Sequence, residues 1–214
     1  MSTAAPRDGT RTDGRTARRV ATRERVIAAG LELFAERGYS ATSVDDIAER
    51  AGVSKGTVFY NFGSKQGLGA VVVRESADRI AAVAEAARAP YEGWEALSAI
   101  VLALLRAFDT DPATCQVLLT ELFRNERPWH ADLPATRAAL IAPVVAVIRG
   151  VHEQRYTAGR TQVRPGPEHF EMIAVAILGA LAFSALDRAT FHPQRSVEDV
   201  QSALMVTISG LAGG

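Results

Sequence analysis

Thr42-Ser-Val-Asp-Asp-Ile-Ala-Glu-Arg-Ala-Gly-Val-Ser-Lys-Gly-Thr-Val-Phe-Tyr-Asn-Phe62 is the stretch on which the fold turns. Ser43 can cap a helix that carries Val44, Ile47 and Ala48 on one face. Asp45 and Asp46 fall in its first turn, where the helix dipole favours negative charge. Gly52 closes that helix, and Ser54 opens a second one running to about Phe62. The spacing predicts two short helices joined by a tight turn at Ala51-Gly52-Val53. Ala48 is small where the second helix crosses, and Val53 and Val58 plug the crevice between them. Such a pair presents its second helix as a rod that fits the major groove of DNA. A generic helical hairpin shares the Ala, Gly and Val positions, so the exposed face carries more weight.

That face opens with Ser54, Lys55, Gly56 and Thr57, the turn in which recognition helices meet base edges. Lys55 can donate to guanine O6 or N7, and the Thr57 methyl can pack on a thymine methyl. Gly56 allows close approach. Tyr60 and Asn61 offer hydrogen bonds to phosphate, which fix register without reading sequence. Lys65 begins the following helix, where backbone amides and an ammonium together favour a phosphate. The two lysines of the chain, against 22 arginines, both lie in this segment.

Working outward, residues 1–19 are rich in Arg, Thr, Gly, Ser and Asp with almost no large apolar side chain, which predicts a mobile basic arm. Thr22 is placed to cap a helix whose Val26, Ile27, Leu31 and Phe34 recur at helical steps, with Gly38 as a left-handed stop. Beyond the motif, Gly63 interrupts and Ser64 caps a helix to about residue 89. Further helices are predicted over 93–109, 112–126, 134–158, 167–190 and 196–211, with a kink at Pro143. No run alternates long enough for a sheet. The fold class is all-α: a flexible arm (1–19), a three-helix DNA-binding domain (20–66, motif 43–62), and a helical effector-binding and dimerisation domain (67–214).

The formal net charge is zero, but its distribution is uneven. Residues 1–65 hold 11 Lys and Arg against 8 Asp and Glu, and the remainder holds 13 against 16. A solvated Arg-rich tail would give the same bias. One cysteine, Cys115, rules out an internal disulfide and fits a reducing cytosol. No uninterrupted apolar run reaches the roughly 18 residues of a spanning helix, and the N-terminus lacks the apolar stretch of a signal peptide. These features predict a cytoplasmic protein with no membrane partner.

The residues Arg23 to Tyr39, Thr42 to Ala51, and Gly52 to Phe62 with Lys65 and Leu68 closely resemble the tetracycline-repressor (TetR) family over about residues 20–70. The resemblance implies a homodimeric regulator of transcription, most simply a repressor, on a palindromic operator in double-stranded DNA. It also implies a C-terminal pocket whose small-molecule effector releases the DNA. Carried over position by position, its DNA contacts fall on Ser43, Ser54, Lys55, Gly56, Thr57, Tyr60, Asn61 and Lys65. The chain departs from the pattern at Phe59, where Tyr is usual, and at Asn61, where His is frequent. Phe59 cannot donate to phosphate and is expected to pack. Gly63 is expected to leave the following helix less firmly placed.

The second half carries a thinner signal. Trp94, Phe108, Phe123, Trp129 and Phe183 are available to line an effector pocket, with Glu121, Arg124, His130, His152 and Tyr156 as polar candidates, most of them expected at the surface. Residues 168–191 are apolar nearly all round, so that helix must be covered on more than one side. With the stripe on the last helix it nominates Ile173, Ile177, Ala180, Val200, Leu204 and Ile208 for a four-helix dimer interface. Both helices could instead be ordinary core.

Enzyme readings fail on spacing. His152-Glu153 lacks the second histidine of a zinc-protease helix, and the Gly63–Gly69 stretch lacks phosphate-loop spacing. Glu168-His169 does not give the Glu-x-x-His pairs of a di-iron bundle. One Cys and four scattered His predict no metal site, and no cofactor is expected. Two other functions stay open: a DNA-binding subunit controlled by a protein partner through a filled core, and a helical small-molecule binder with a degenerate DNA head.

Overall fold

Apolar side chains at three- and four-residue spacing, punctuated by capping serines, make this chain a succession of amphipathic helices. The computed structural model describes residues 10–124, 126–162 and 165–212, and among them the regular structure is helical throughout. The elements are α1 (Thr10–Ala41), α2 (Val44–Ala51), α3 (Lys55–Phe62), α4 (Lys65–Arg88), α5 (Gly93–Thr110), α6 (Pro112–Glu121), α7 (Leu133–Thr157), α8 (Pro167–Phe191) and α9 (Val197–Ala212). A short 3-10 turn at His130–Asp132 leads into α7.

The N-terminal helix begins earlier than the sequence predicts. Residues 10–19 continue α1 rather than forming an irregular arm, and Thr22 lies inside the helix instead of capping it. No proline stands between Thr10 and Thr22, and Ala17, Arg18 and Arg19 are good helix formers, so the helix extends further towards the N-terminus, with residues 16–20 exposed. The first nine residues of the expected arm lie outside the described residues. At the other end Gly38 interrupts the helix at φ 80, ψ 159, a positive-φ conformation that favours glycine but lies outside the left-handed helical region. The Thr42 hydroxyl braces it by donating to the Gly38 carbonyl at 2.9 Å.

Two cores result, and α4 belongs to both. The first gathers Val26, Leu33 and Phe34 of α1, Ile47 of α2, Val58 of α3 and Leu68 and Val72 of α4. The second collects Ile80 and Ala84 of α4 with Leu97, Ile100 and Leu104 of α5, Ile141 and Val144 of α7, Leu181 of α8 and Leu204 of α9. Val117, Leu122, Trp129 and Leu133, from the second half of the chain, are buried in the first core. Head and body therefore share packed surface through α6 and the loop after it.

That loop marks another difference. The helix expected to reach residue 126 stops at Glu121. The chain turns back so that Arg127 can meet the buried Glu121 carboxylate at 2.5 and 2.9 Å. Helix α7 runs on through the buried Pro143. Although neither holds an uninterrupted apolar run, residues 130–157 and α8 are long and apolar enough, by length and composition, to cross a membrane; one third of each apolar window is buried.

Candidate nucleic-acid interface and effector cavity

The head is organised by caps. The Ser43 hydroxyl accepts from the Asp46 amide at 3.1 Å, and the Asp46 carboxylate accepts from the Ser43 amide at 2.8 Å and hydroxyl at 2.7 Å. This reciprocal box starts α2, and the Ser43 hydrogen bonds hold the Asp46 carboxyl below its ordinary range. Gly52, at φ 64, returns its N–H to the end of α2 in a conformation that a side chain would strain. Ser54 caps α3, accepting from the Thr57 amide at 3.2 Å and sharing a hydrogen bond with the Thr57 hydroxyl at 2.9 Å. Gly63 closes α3 at φ 72, and the Ser64 hydroxyl caps α4 through the Gly67 amide at 3.0 Å. The glycine at 63 thus supplies the turn that α4 needs, contrary to the loosening expected of it.

Helix α3 stands with Val58 fully buried against the head core and its opposite face in solvent. Lys55, Gly56 and Tyr60 are exposed together on that face, with Tyr60 at 77%. Phe59 does not pack as expected; it is 41% exposed, because Val58 takes the inward position and Phe59 follows it round the helix. Lys55 Nζ pairs with Asp45 Oδ2 of α2 at 2.8 Å, both side chains being more than half exposed. Other contacts expected from the sequence have local partners. Ser43 and Ser54 are engaged in caps, and Asn61 Nδ2 donates to the Thr57 carbonyl at 2.8 Å. Lys65 Nζ lies 4.2 Å over the Tyr39 ring and donates to the Ser40 carbonyl at 3.4 Å. Partial burial, then the nearby Arg127 charge, lowers its pKa.

Arginines around the motif are largely matched by carboxylates. Arg50 binds Glu36 and Glu32, each at 3.0 Å, and Arg23 ties α1 to Glu75 of α4 at 2.9 Å.

In the body, a cavity of about 160 Å³ opens between α4, α5, α6, α7 and α8. Two of the five predicted aromatics, Phe108 and Phe123, line it. Trp94 stands at the start of α5, 37% exposed, and Phe183 points outward from α8, 74% exposed. Trp129 is buried in the head core, its indole in edge contact with the Tyr39 ring at 4.6 Å between centroids. Of the polar candidates, Glu121 faces Arg127 rather than the cavity, and Arg124 and His130 are exposed. The charged residue at the wall is one the sequence did not single out, Arg137 of α7, which pairs with Glu171 of α8 at 3.1 Å. Nothing in the sequence distinguishes it from the other arginines.

The expected dimer residues divide. Ile177 and Leu204 are buried within this chain. Ile173, Val200 and Ile208 are half-buried and pack on the body core, while Ala180 is exposed. Met172, Phe183 and Val206, which the prediction omitted, are exposed at 69%, 74% and 72%. Most of the nominated residues thus lie on the inward side of α8 and α9 within this chain.

Among the described residues no cluster of His, Cys, Asp and Glu could hold a metal ion. The Cys115 thiol is buried beside the cavity, and burial pushes its pKa up to about 12, which keeps it neutral.

Residues 26–71 match the family model of bacterial regulatory proteins, tetR family. The chain is 35% identical over 127 residues to the HTH-type transcriptional activator FasR of Mycolicibacterium smegmatis, covering 59% of this chain and 58% of that protein. It is 28% identical over 141 residues to the HTH-type transcriptional regulator RutR of Escherichia coli strain K12, covering 65% and 66%. The chain thus spans less than two thirds of the length of these curated relatives. In fold it is similar to the regulator FadR from Bacillus subtilis, solved in complex with stearoyl-CoA, with a TM-score of 0.70 at 16% identity over 86% of this chain and 96% of that one. The head's capped helix pair thus carries the match to the tetR-family model, and the chain shares its fold with this regulator over 86% of its length.

Proposed function

We propose that this chain is a cytoplasmic, dimeric repressor that binds a palindromic operator in double-stranded DNA and leaves it when a small molecule fills the body cavity. The observation that carries the reading is α3: capped at both ends, anchored by Val58, and open to solvent at Lys55, Gly56 and Tyr60. Lys55 and Thr57 would read bases, and Tyr60 would anchor phosphate. Asn61 and Lys65 need to leave their present partners to do the same.

Pairing through α8 and α9 would cover Met172, Phe183 and Val206 and place two copies of α3 in successive major grooves about 34 Å apart. A filled core would favour control by a protein partner; the cavity supports a small-molecule effector instead. Effector binding then acts by favouring a spacing of the two heads that no longer fits DNA.

The test is footprinting on the promoters of the protein's own gene and its neighbours, with transcript levels measured after deletion of the gene. A protected palindrome and raised transcripts are expected. Absence of any protected site sinks the DNA-binding reading, and lowered transcripts would make the protein an activator.

A further inference from the structure

Ahead of the motif, α1 carries charge that no described carboxylate neutralises. Between Thr10 and Arg25 stand six arginines against two acidic residues. Elsewhere in the head Arg37 pairs with Asp46, Arg50 with Glu32 and Glu36, and Arg23 with Glu75. Arg18, Arg19 and Arg25 are exposed and form no ion pair among the described residues, and Arg25 donates to the Thr22 hydroxyl at 3.4 Å. Arg25 Nη1 stands 3.9 Å from where a side chain at Gly52 would begin. That side of α1 therefore faces the turn that leads into Ser54, Lys55 and Gly56. Arg18, seven residues earlier, leaves the helix within about 20° of Arg25 and about 10 Å along its axis. Arg19 borders it. In sequence, Arg11 and Arg15 continue the same three- and four-residue spacing.

We infer that Arg18, Arg19 and Arg25 form a stripe that grips the phosphate backbone of duplex DNA beside the half-site read by α3. The inference rests on the DNA-binding reading above and adds contacts to it: the match to the tetR-family model begins at residue 26, after the stripe. Continuity with the reading turn and the uniform positive sign point to duplex phosphates as the occupant. A guanidinium meets phosphate oxygens with two parallel hydrogen bonds. A membrane surface does not fit, because Val20 is the one apolar side chain larger than alanine between Thr10 and Thr22, too little to enter lipid. Contacts of this kind supply affinity without base preference, through release of counterions. They also let a chain of zero formal net charge attract DNA, since the unpaired charge is concentrated at one end of the head.

The experiment is fluorescence-anisotropy titration of the full chain on two labelled duplexes, the footprinted operator and a random sequence, over a range of salt concentrations. Arg18→Gln with Arg19→Gln should flatten the plot of log affinity against log salt by about 0.9 per arginine in each bound subunit. Arg25→Gln should flatten it by about 0.9 per subunit. The double variant should lose about tenfold or more in affinity on both duplexes near 0.1 M salt, with the ranking of operators altered at single bases unchanged. Arg18→Lys with Arg19→Lys keeps the charge and should keep most of the slope. Arg160→Gln, in the loop after α7, removes a charge at a distance and should leave the slope as it is. An unchanged slope in the Gln double variant, or an equal fall with Arg160→Gln, overturns the proposal. So does a double variant that binds DNA like the parent but no longer binds phosphatidylglycerol vesicles. The two readings fail separately. A protected operator with an unchanged slope sinks the stripe alone. Slopes that fall as expected on the random duplex, with no protected operator, sink the sequence-specific regulator alone.

Discussion

The indole of Trp129 occupies the space that a side chain at position 69 would need. A methyl there would stand 2.8 Å from Cη2 of Trp129 and 3.0 Å from Cε2 of Tyr39. Gly69 lies on the head's side of α4, while Trp129 comes from the loop that follows α6. The indole N–H is buried without a hydrogen-bond partner, so packing against Tyr39 and the Arg127 guanidinium over its ring hold it there. Gly69→Ala should cost about 1–3 kcal/mol in urea unfolding through overpacking. Combining it with Trp129→Phe should cost less than the sum of the single changes; strict additivity would show that the two positions do not meet.

Beside that contact, Glu121 and Arg127 form an ion pair whose side chains are only 2% and 10% exposed. Arg127 also donates to Ser40 and lies over Tyr39. Glu121→Gln leaves a guanidinium nearly buried without its carboxylate and should destabilise the protein by about 3–5 kcal/mol. The double change Glu121→Leu with Arg127→Met should recover much of that loss in thermal unfolding. A double variant as unstable as the single one would contradict this account.

The α2 cap predicts a pH dependence. Hydrogen bonds from Ser43 depress the folded-state pKa of Asp46 below its ordinary 3.8. Its contribution is therefore present above about pH 3.8 and is lost as pH falls through the lower folded value. Asp46→Asn should be less stable than the parent near neutrality, and the two should converge in strong acid. Urea midpoints from pH 5 to pH 2 follow this directly, and parallel curves would show that the carboxylate does not contribute.

In the complex proposed above, Lys55 must leave Asp45 to reach DNA. An exposed pair of this kind is worth at most about 1 kcal/mol, so Asp45→Asn should tighten operator binding by up to about fivefold at low salt. Lys55→Ala should relax preference at one base pair by roughly 1–3 kcal/mol. Band-shift titrations on operators altered at single positions would read both effects. Equal weakening on every sequence would make Lys55 a phosphate contact instead.

Phe183 and Val206 carry the outward apolar surface of α8 and α9. Phe183→Glu with Val206→Glu should give a folded monomer by sedimentation at micromolar concentration, with operator affinity greatly reduced. A variant that still sediments as a dimer would move the interface elsewhere.

The head was the legible part because its instructions are local. Ser43, Gly52, Ser54 and Ser64 each act within four residues of themselves, so spacing alone places the ends of α2, α3 and α4. Cavity and interface residues depend on how distant helices cross. Trp94, Trp129 and Phe183 are equally aromatic in sequence, yet they lie at a helix start, in the head core and in solvent. Ile177 and Phe183 sit six positions apart on α8, far enough round the helix to face inward and outward, and an all-round apolar pattern hides which is which. Arg137 was invisible because nothing in the sequence marks which arginine comes to border an apolar cavity.

The loop between α6 and α7 touches both halves of the molecule within eight residues: Leu122 and Phe123 face the cavity, and Arg127 and Trp129 hold Tyr39, Ser40 and Gly69 of the head. On the effector reading proposed above, this loop is what would link the filling of the cavity to the placing of the head. Thermodynamic reciprocity gives this a quantitative form: whatever factor a ligand takes from operator affinity, the operator must take from the ligand's. On that reading, a cell would register the ligand at one concentration when the protein is free and at a higher one when it is on DNA.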